Sequence, residues 1–210
     1  MNRKHAVVIG SGAGGSTVAK ELQGEFDVTL FESGGEFKKL KLSRETLERL
    51  KKTGLLFTER EIQFAFPGMK VRKTYEGMVL VNGKSLGGST VISTGSCTRS
   101  DGPLRRLGID LGPEFAELEK EIPQNVEHQR RWSRFTRDLF EVCGEMGLDP
   151  TVTTRMTRDE LCNNCGRCIF GCPSGAKWDS REFLKIAKEK GAKVVDNCRV
   201  DKIRIDGSDA

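Results

Sequence analysis

The chain has 210 residues, 36% of them apolar and 31% charged, with a net charge of +5 from 35 basic and 30 acidic side chains. That is the composition of one or two globular domains and excludes disorder and a collagen-like chain, while so small a surplus of charge says little about partners. No run approaches the roughly 18 apolar residues of a membrane span and no secretory signal opens the sequence, so a cytoplasmic protein without a transmembrane segment is expected.

In chain order, residues 5–9 are a short Val-rich run ending in glycine, which reads as a buried parallel strand. Residues 16–23 predict a helix and 26–31 a second strand, completing a β-α-β unit. Residues 40–55, rich in Lys, Glu, Arg and Leu, predict a surface helix; Phe57, Phe64 and Phe66 follow, and Pro67-Gly68 punctuates. Residues 71–81 predict a strand or hairpin turning at Asn82-Gly83. Residues 86–92 read as a glycine turn entering an apolar segment. Residues 101–131 are polar, with a helix at 113–121. Between 132 and 146, Trp132, Phe135, Leu139, Val142 and Met146 recur at helical spacing, predicting an amphipathic helix with that face buried and Gly147 as its cap. A further helix is predicted at 179–191, capped by Ser180 or Asp179, with strands at 192–195 and 199–205 and a turn at Gly207-Ser208-Asp209.

The sequence Gly10-Ser11-Gly12-Ala13-Gly14-Gly15 satisfies G-x-G-x-x-G directly after the first strand. Gly10 serves the tight turn, Gly12 the approach of backbone to a pyrophosphate, and Gly15 the close packing of helix on strand. The helix N-terminus adds free N–H groups and a positive dipole end. Glu32, at the end of the second strand and followed by Ser33, stands where a carboxylate accepts hydrogen bonds from ribose hydroxyls and repels a 2′-phosphate. The unit alone leaves FAD and NAD open; its position at the N-terminus favours FAD.

A second glycine element runs from Gly83 to Thr90, GKSLGGST. With VVIGSGAGGSTVAKEL and FESGG, it resembles the glucose-methanol-choline (GMC) oxidoreductases. The resemblance implies an α/β, Rossmann-like FAD-binding domain of the two-dinucleotide-fold type, incomplete in this chain. It places Gly87, Gly88, Ser89 and Thr90 beside the flavin and pyrophosphate, and the backbone of Val200 beside the adenine. Where the family often carries Asn, this chain has Ser93. The expected organisation is 1–100 for the first part of the FAD domain, 101–155 for a helical insertion, 156–180 for a cysteine-rich segment, and 181–210 for a return to the FAD domain.

Four of the seven cysteines form the run Cys162-x2-Cys165-x2-Cys168-x3-Cys172-Pro173, the spacing of bacterial ferredoxin loops. A tight loop can aim three of these thiolates at one cluster, so Cys162, Cys165 and Cys168 are the first ligands. Cys172 is the expected fourth; Cys198, Cys97 or a partner residue stands in reserve. A 4Fe–4S cluster is the reading this spacing favours; zinc and unmetallated thiols are the alternatives. The block CGRCIFGCPSGAK also resembles a cysteine-rich stretch in a subgroup of GMC-like dehydrogenases.

Only two histidines are present. His5 opens the first strand, and His128 lies in a charged stretch that reads as solvated surface; neither is assigned as a general base. The family's catalytic histidine belongs to a longer chain, so a second polypeptide completing the FAD and substrate domains is expected. The expected activity is hydride transfer between an alcohol-type small molecule and FAD, with single electrons relayed through the cluster to a carrier protein or other acceptor. The alternative is an electron-transfer subunit serving a partner chain. The basic-aromatic stretch 130–137 raises nucleic-acid binding, but its helical spacing points to a solvated arginine face and no nucleic acid is expected.

Overall fold

A computed structural model describes residues 3–38, 44–54 and 58–205. It contains two compact units: Met1–Ser93 with Ile169–Gly171 and Asp179–Ala210, and Thr94–Cys168 with Cys172–Trp178.

Five strands occur among the described residues: β1 (Lys4–Ile9), β2 (Phe26–Phe31), β3 (Met69–Lys73), β4 (Val79–Gly83) and β5 (Lys193–Val195). In the first unit β1, β2 and β5 form a parallel sheet in the order β1-β2-β5, with Val8 beside Leu30 and Leu30 beside Val194. One face of this sheet is covered. Helix α1 (Ala13–Glu21) carries Ala19 against Val8, Val28 and Leu30. The last helix, Arg181–Glu189, adds Leu184 and Ala187 to the same core. The other face presents His5, Val7 and Ile9, and no described element covers Val7 or Ile9, which are 55% and 50% exposed.

Helix α2 (Arg44–Lys52) falls within the expected surface helix; residues 40–43, 55 and 57 lie outside the described residues. Helix α3 (Glu59–Ala65) lies where only aromatic residues were noted. It starts on a capping box: Thr58 Oγ1 accepts from Glu61 N and Glu61 Oε2 accepts from Thr58 N. Phe37, Phe66, Met69 and Val91 make a second small core.

The β3–β4 hairpin corrects the expected turn. Asn82 and Gly83 are strand residues, paired with Lys70 and Met69. The chain reverses at 74–77 instead, where Thr74 N donates to Met78 O and Gly77 takes φ +85°. Helix α4 (Ser89–Ile92) follows the second glycine element.

The second unit begins with α5 (Gly102–Arg106) and α6 (Gly112–Glu121), the former not anticipated. Helix α7 (Arg134–Glu145) is N-capped by Ser133, whose Oγ accepts from Thr136 N, and Gly147 follows it at φ +73° as expected. Its apolar stripe departs from expectation. Phe135 is 75% exposed and Met146 69%, and Leu139 and Val142 are also exposed. The cavity of the second unit is lined by Thr136, Leu139, Phe140 and Cys143, of which only Phe140 and Cys143 are half-buried, so Leu139 is the one member of the predicted helical stripe on α7 that faces it.

Ser180 is the N-cap of helix α8 (Arg181–Glu189) without a side-chain cap bond, and Asp179 before it accepts from Arg181 N through Oδ1. Residues 199–205 form no strand: Asn197 at φ +50° turns the chain out of β5, and Arg199 pairs with Asp201 beyond it. The turn expected at 207–209 lies outside the described residues.

Leu30 is fully buried at the centre of the parallel sheet. Leu30→Ala should cost about 2–5 kcal/mol, read as a lowered midpoint in urea unfolding.

Candidate cofactor sites

β1 ends at Ile9, the chain turns at Gly10 (φ +90°), and α1 begins with Gly12 as its N-cap. A Cβ on Gly15 would stand 1.9 Å from Gly10 O, so the first turn of α1 closes on the loop only with glycine there. Gly12 and Gly14, by contrast, face open space. No side chain caps α1 and its first turn has no acidic residue. The N–H groups of Ala13 and Gly14 therefore remain for an outside acceptor at the positive end of the helix.

Glu32 is almost fully buried. Its Oε2 accepts from Ser11 N at 2.9 Å and Ser11 Oγ at 2.7 Å. Its Oε1 accepts from Gly34 N at 2.8 Å and Ser33 Oγ at 3.2 Å. Burial pushes the carboxyl up, but the bonds from Ser11, Gly34 and Ser33 outweigh it and hold Glu32 below its ordinary value. Ser11 extends this knot. Its Oγ accepts from Gly87 N at 3.1 Å, and its carbonyl accepts from Ser16 Oγ and Ser180 Oγ.

The second glycine element packs on the first. Gly87 and Gly88 take φ +88° and +54°, and a Cβ on Gly88 would lie 2.9 Å from Gly12 Cα. Ser89 and Thr90, expected beside the flavin, hold their own loop. Ser89 Oγ accepts from Gly83 N at 3.1 Å; Thr90 Oγ1 donates to Gly87 O at 2.6 Å and accepts from Ser180 N at 3.0 Å. Ser93, where the family often has Asn, donates to Thr90 O at 3.0 Å.

A cleft of about 420 Å³ opens at the C-terminal end of β1 and β2. Gly10, Ser33, Lys70, Lys84, Cys198 and Val200 line it, so Gly10, Ser33 and Val200 from the sequence-based set meet around one space. The lysines bring positive charge to its rim. This is the crevice position at strand C-termini where open α/β sheets bind ligands.

In the second unit Cys162, Cys165, Cys168 and Cys172 line one cavity of about 660 Å³. Burial raises the Cys168 thiol, reinforced by Cys172. Burial also acts upward on Cys172, but Lys177 N at 3.3 Å and Ser174 Oγ at 3.6 Å bond its sulfur and bring it below the ordinary value. Among the described residues no group of three or more His, Cys, Asp or Glu converges on a single-ion position. All seven cysteines are free thiols. The reserve ligands lie elsewhere: Cys198 lines the cleft of the first unit, and Cys97 donates to Gln124 Oε1 at 3.7 Å.

The cavity wall holds residues the sequence did not single out. Cys143 supplies a fifth thiol from α7, and Arg155 joins it. His128, expected on the solvated surface, is instead half-buried in this wall, its ring edge-on to Trp132, and burial lowers its pKa. Ser85, buried in the second glycine element, and Ser180, read only as a helix cap, are the other hydroxyl positions not assigned to the site. Only the small hydroxyl residues flanking glycine turns could have signalled them.

The family model described as GMC oxidoreductase matches residues 109–210. The chain is 28% identical to the uncharacterized GMC-type oxidoreductase Rv0492c of Mycobacterium tuberculosis (strain ATCC 25618 / H37Rv), over 97% of this chain and 33% of that protein. It is 24% identical to the long-chain-alcohol oxidase FAO1 of Arabidopsis thaliana, over 98% of this chain and 27% of that one. Pyridoxine 4-oxidase from Mesorbium loti superposes with a TM-score of 0.66 at 15% identity, over 98% of this chain and 44% of that chain, a likeness of fold. The chain thus spans about a third of the length of the curated relatives it matches.

Because Glu32 is held below its ordinary 4.5, its contribution to stability is complete above that pH and is lost as the pH falls through the depressed value. Glu32→Gln should be less stable than the parent at pH 7 and lose less on acidification below about 4.5, read by urea unfolding at both pH values.

Proposed function

The chain belongs to the GMC oxidoreductase family, and on that premise we propose that it binds FAD in the first unit and an iron–sulfur cluster in the second, as part of an oxidoreductase acting on an alcohol-type substrate. Bound FAD would supply hydride acceptance, and the cluster would pass electrons singly. The observation that carries the FAD reading is the cleft at the C-terminal ends of β1 and β2, which Gly10, Ser33 and Val200 line together.

In this reading the N–H groups at the start of α1 hold the pyrophosphate, with Lys70 and Lys84 offsetting its charge. The Val200 backbone meets the adenine. All four hydrogen bonds of Glu32 come from its own chain. A ribose hydroxyl therefore displaces Ser33 Oγ, whose bond is the longest of the four. Ser89 and Thr90 act one step back, holding Gly87 and Gly88 so that bare backbone meets the cofactor.

The cluster reading rests on the ferredoxin spacing and on the shared cavity of Cys162, Cys165, Cys168 and Cys172. Among the described residues no three such side chains are placed to hold a metal ion, which favours neither zinc nor cluster, so the choice between them rests on the spacing. A cubane takes each thiolate at a separate corner. The N–H donated by Lys177 to Cys172 suits a ligated sulfur, since such bonds tune cluster potential.

One observation favours a second reading, in which the chain carries cofactors and a partner does the substrate chemistry. Neither histidine lines the cleft of the first unit, so the chain offers no imidazole base beside the flavin. Both readings call for further polypeptide and an electron acceptor. Parallel sheets are normally covered on both faces, and here one face of β1 is open. If added polypeptide from a relative's remaining length restores alcohol oxidation, the first reading stands; if it restores only dye reduction by another enzyme, the second does.

The direct test is the visible spectrum and iron content of protein purified without oxygen. Flavin bands together with a broad absorption bleached by dithionite are expected. Material that takes up neither FAD nor iron would overturn the proposal. Gly12→Val should leave the circular dichroism spectrum intact, because that position faces open space, yet abolish FAD binding. Cys165→Ser should remove most of the iron and spare the flavin, while Cys143→Ser should keep both.

A further inference from the structure

Arg155 stands in the wall of the cysteine cavity in the second unit. Its backbone is fixed: Arg155 N donates to Asn125 O at 2.9 Å and Asn125 N donates to Arg155 O at 3.1 Å, with a further bridge to Ser96. The side chain is half-buried. Nη1 reaches Thr94 O at a long 3.4 Å, and Nε is buried without a hydrogen-bond partner among the described residues. No described carboxylate pairs with it. Arg131, in the same wall, is already neutralised by Asp159 at 2.6 Å.

A guanidinium partly withdrawn from water, with its Nε buried and unbonded, is favoured by a nearby anion. The cavity that Arg155 lines holds thiols, hydroxyls, amides, aromatic rings, His128 and a second cation, Arg131, but no carboxylate. The cation therefore fits a cavity whose occupant brings the negative charge. Four thiolates around an iron–sulfur core form such an anion. A fixed positive charge beside it stabilises the reduced, more negative state, and more strongly in a partly desolvated cavity than in water.

We propose that Arg155 is the charge-compensating residue of this cavity and raises the reduction potential of the cluster held by Cys162, Cys165, Cys168 and Cys172. The proposal rests on the cluster reading given above. It assigns Arg155 no bond to iron; the residue acts through its charge.

The test uses the full chain, reconstituted anaerobically with iron and sulfide, as the parent, Arg155→Lys and Arg155→Gln. Iron content is measured first, then the midpoint potential by titration followed in the visible and by electron paramagnetic resonance. Equal iron in all three is expected, with the Gln variant shifted to a more negative potential by a tenfold change in the one-electron equilibrium, ~59 mV, and the Lys variant close to the parent. Loss of iron from the Gln variant alone would support the same role through affinity. Unchanged potential in the Gln variant, or equal loss of iron from both variants, would overturn it in favour of a purely structural arginine. A parent that takes up no iron would instead remove the cluster reading itself, a result visible before any variant is compared.

Discussion

The architecture of the first unit depends on one buried carboxylate. Glu32 leaves water almost completely, and a charge in that position is tolerated only when hydrogen bonds replace its hydration. The donors come from two places, Ser11 after β1 and Ser33-Gly34 after β2. The ends of adjacent strands are thereby locked level with each other. Ser11 then passes the constraint on, to Gly87 through its hydroxyl and to Ser180, 169 residues away, through its carbonyl. The start of α8, the second glycine element and the opening turn are held by one serine, which in turn is oriented by one glutamate.

This arrangement determines what kind of recognition the cleft can offer. The polar side chains nearest the glycine turns are already committed to one another. Gly88 approaches Gly12 too closely for any side chain to stand between them. What the glycine turns themselves leave unpaired is backbone, the N–H groups at the start of α1. Such a surface suits a phosphate diester, which needs several weak donors and a favourable dipole rather than a single matching side chain. The cleft wall nearby adds side chains, with Val200, Ser33 and the two lysines lining it.

The parts legible in the sequence were those decided locally. The β-α-β unit followed from a Val-rich run, a glycine hexapeptide and a second strand. The cysteine loop followed from spacing alone, and the structure gathers all four thiols around one cavity. Features decided by distant contacts were misread. Asn82-Gly83 has turn chemistry, yet Gly83 is there because Gly88 O would lie 2.2 Å from a Cβ, and Asn82 Oδ1 accepts from Arg72 across the hairpin. Thr74 supplies the real turn, its hydroxyl accepting from Met78 N. The helical period of α7 was right, but periodicity cannot say which stripe meets the rest of the fold. Residues 199–205 had strand-like composition and no neighbouring strand to pair with.

Two of the apolar surfaces left uncovered among the described residues do not call for the same cover. On the open face of the parallel sheet, Ile9 and Phe31 also line the cleft. A ligand seated there removes part of their surface from water, so some of that exposure is the mark of a binding site rather than of missing protein. His5 and Val7, farther back along β1, are outside the cleft and gain nothing from a ligand. The stripe of Phe135, Val142 and Met146 on α7 is likewise too extended for a small molecule, and charged residues interrupt its flanks, while Leu139 beside it lines the cysteine cavity. Exposed stripes of that extent are the marks of protein contact. The chain matches only about a third of the length of its curated relatives. A ligand in the cleft would cover the front of the sheet, whereas the back of β1 and the outer face of α7 lie beyond its reach.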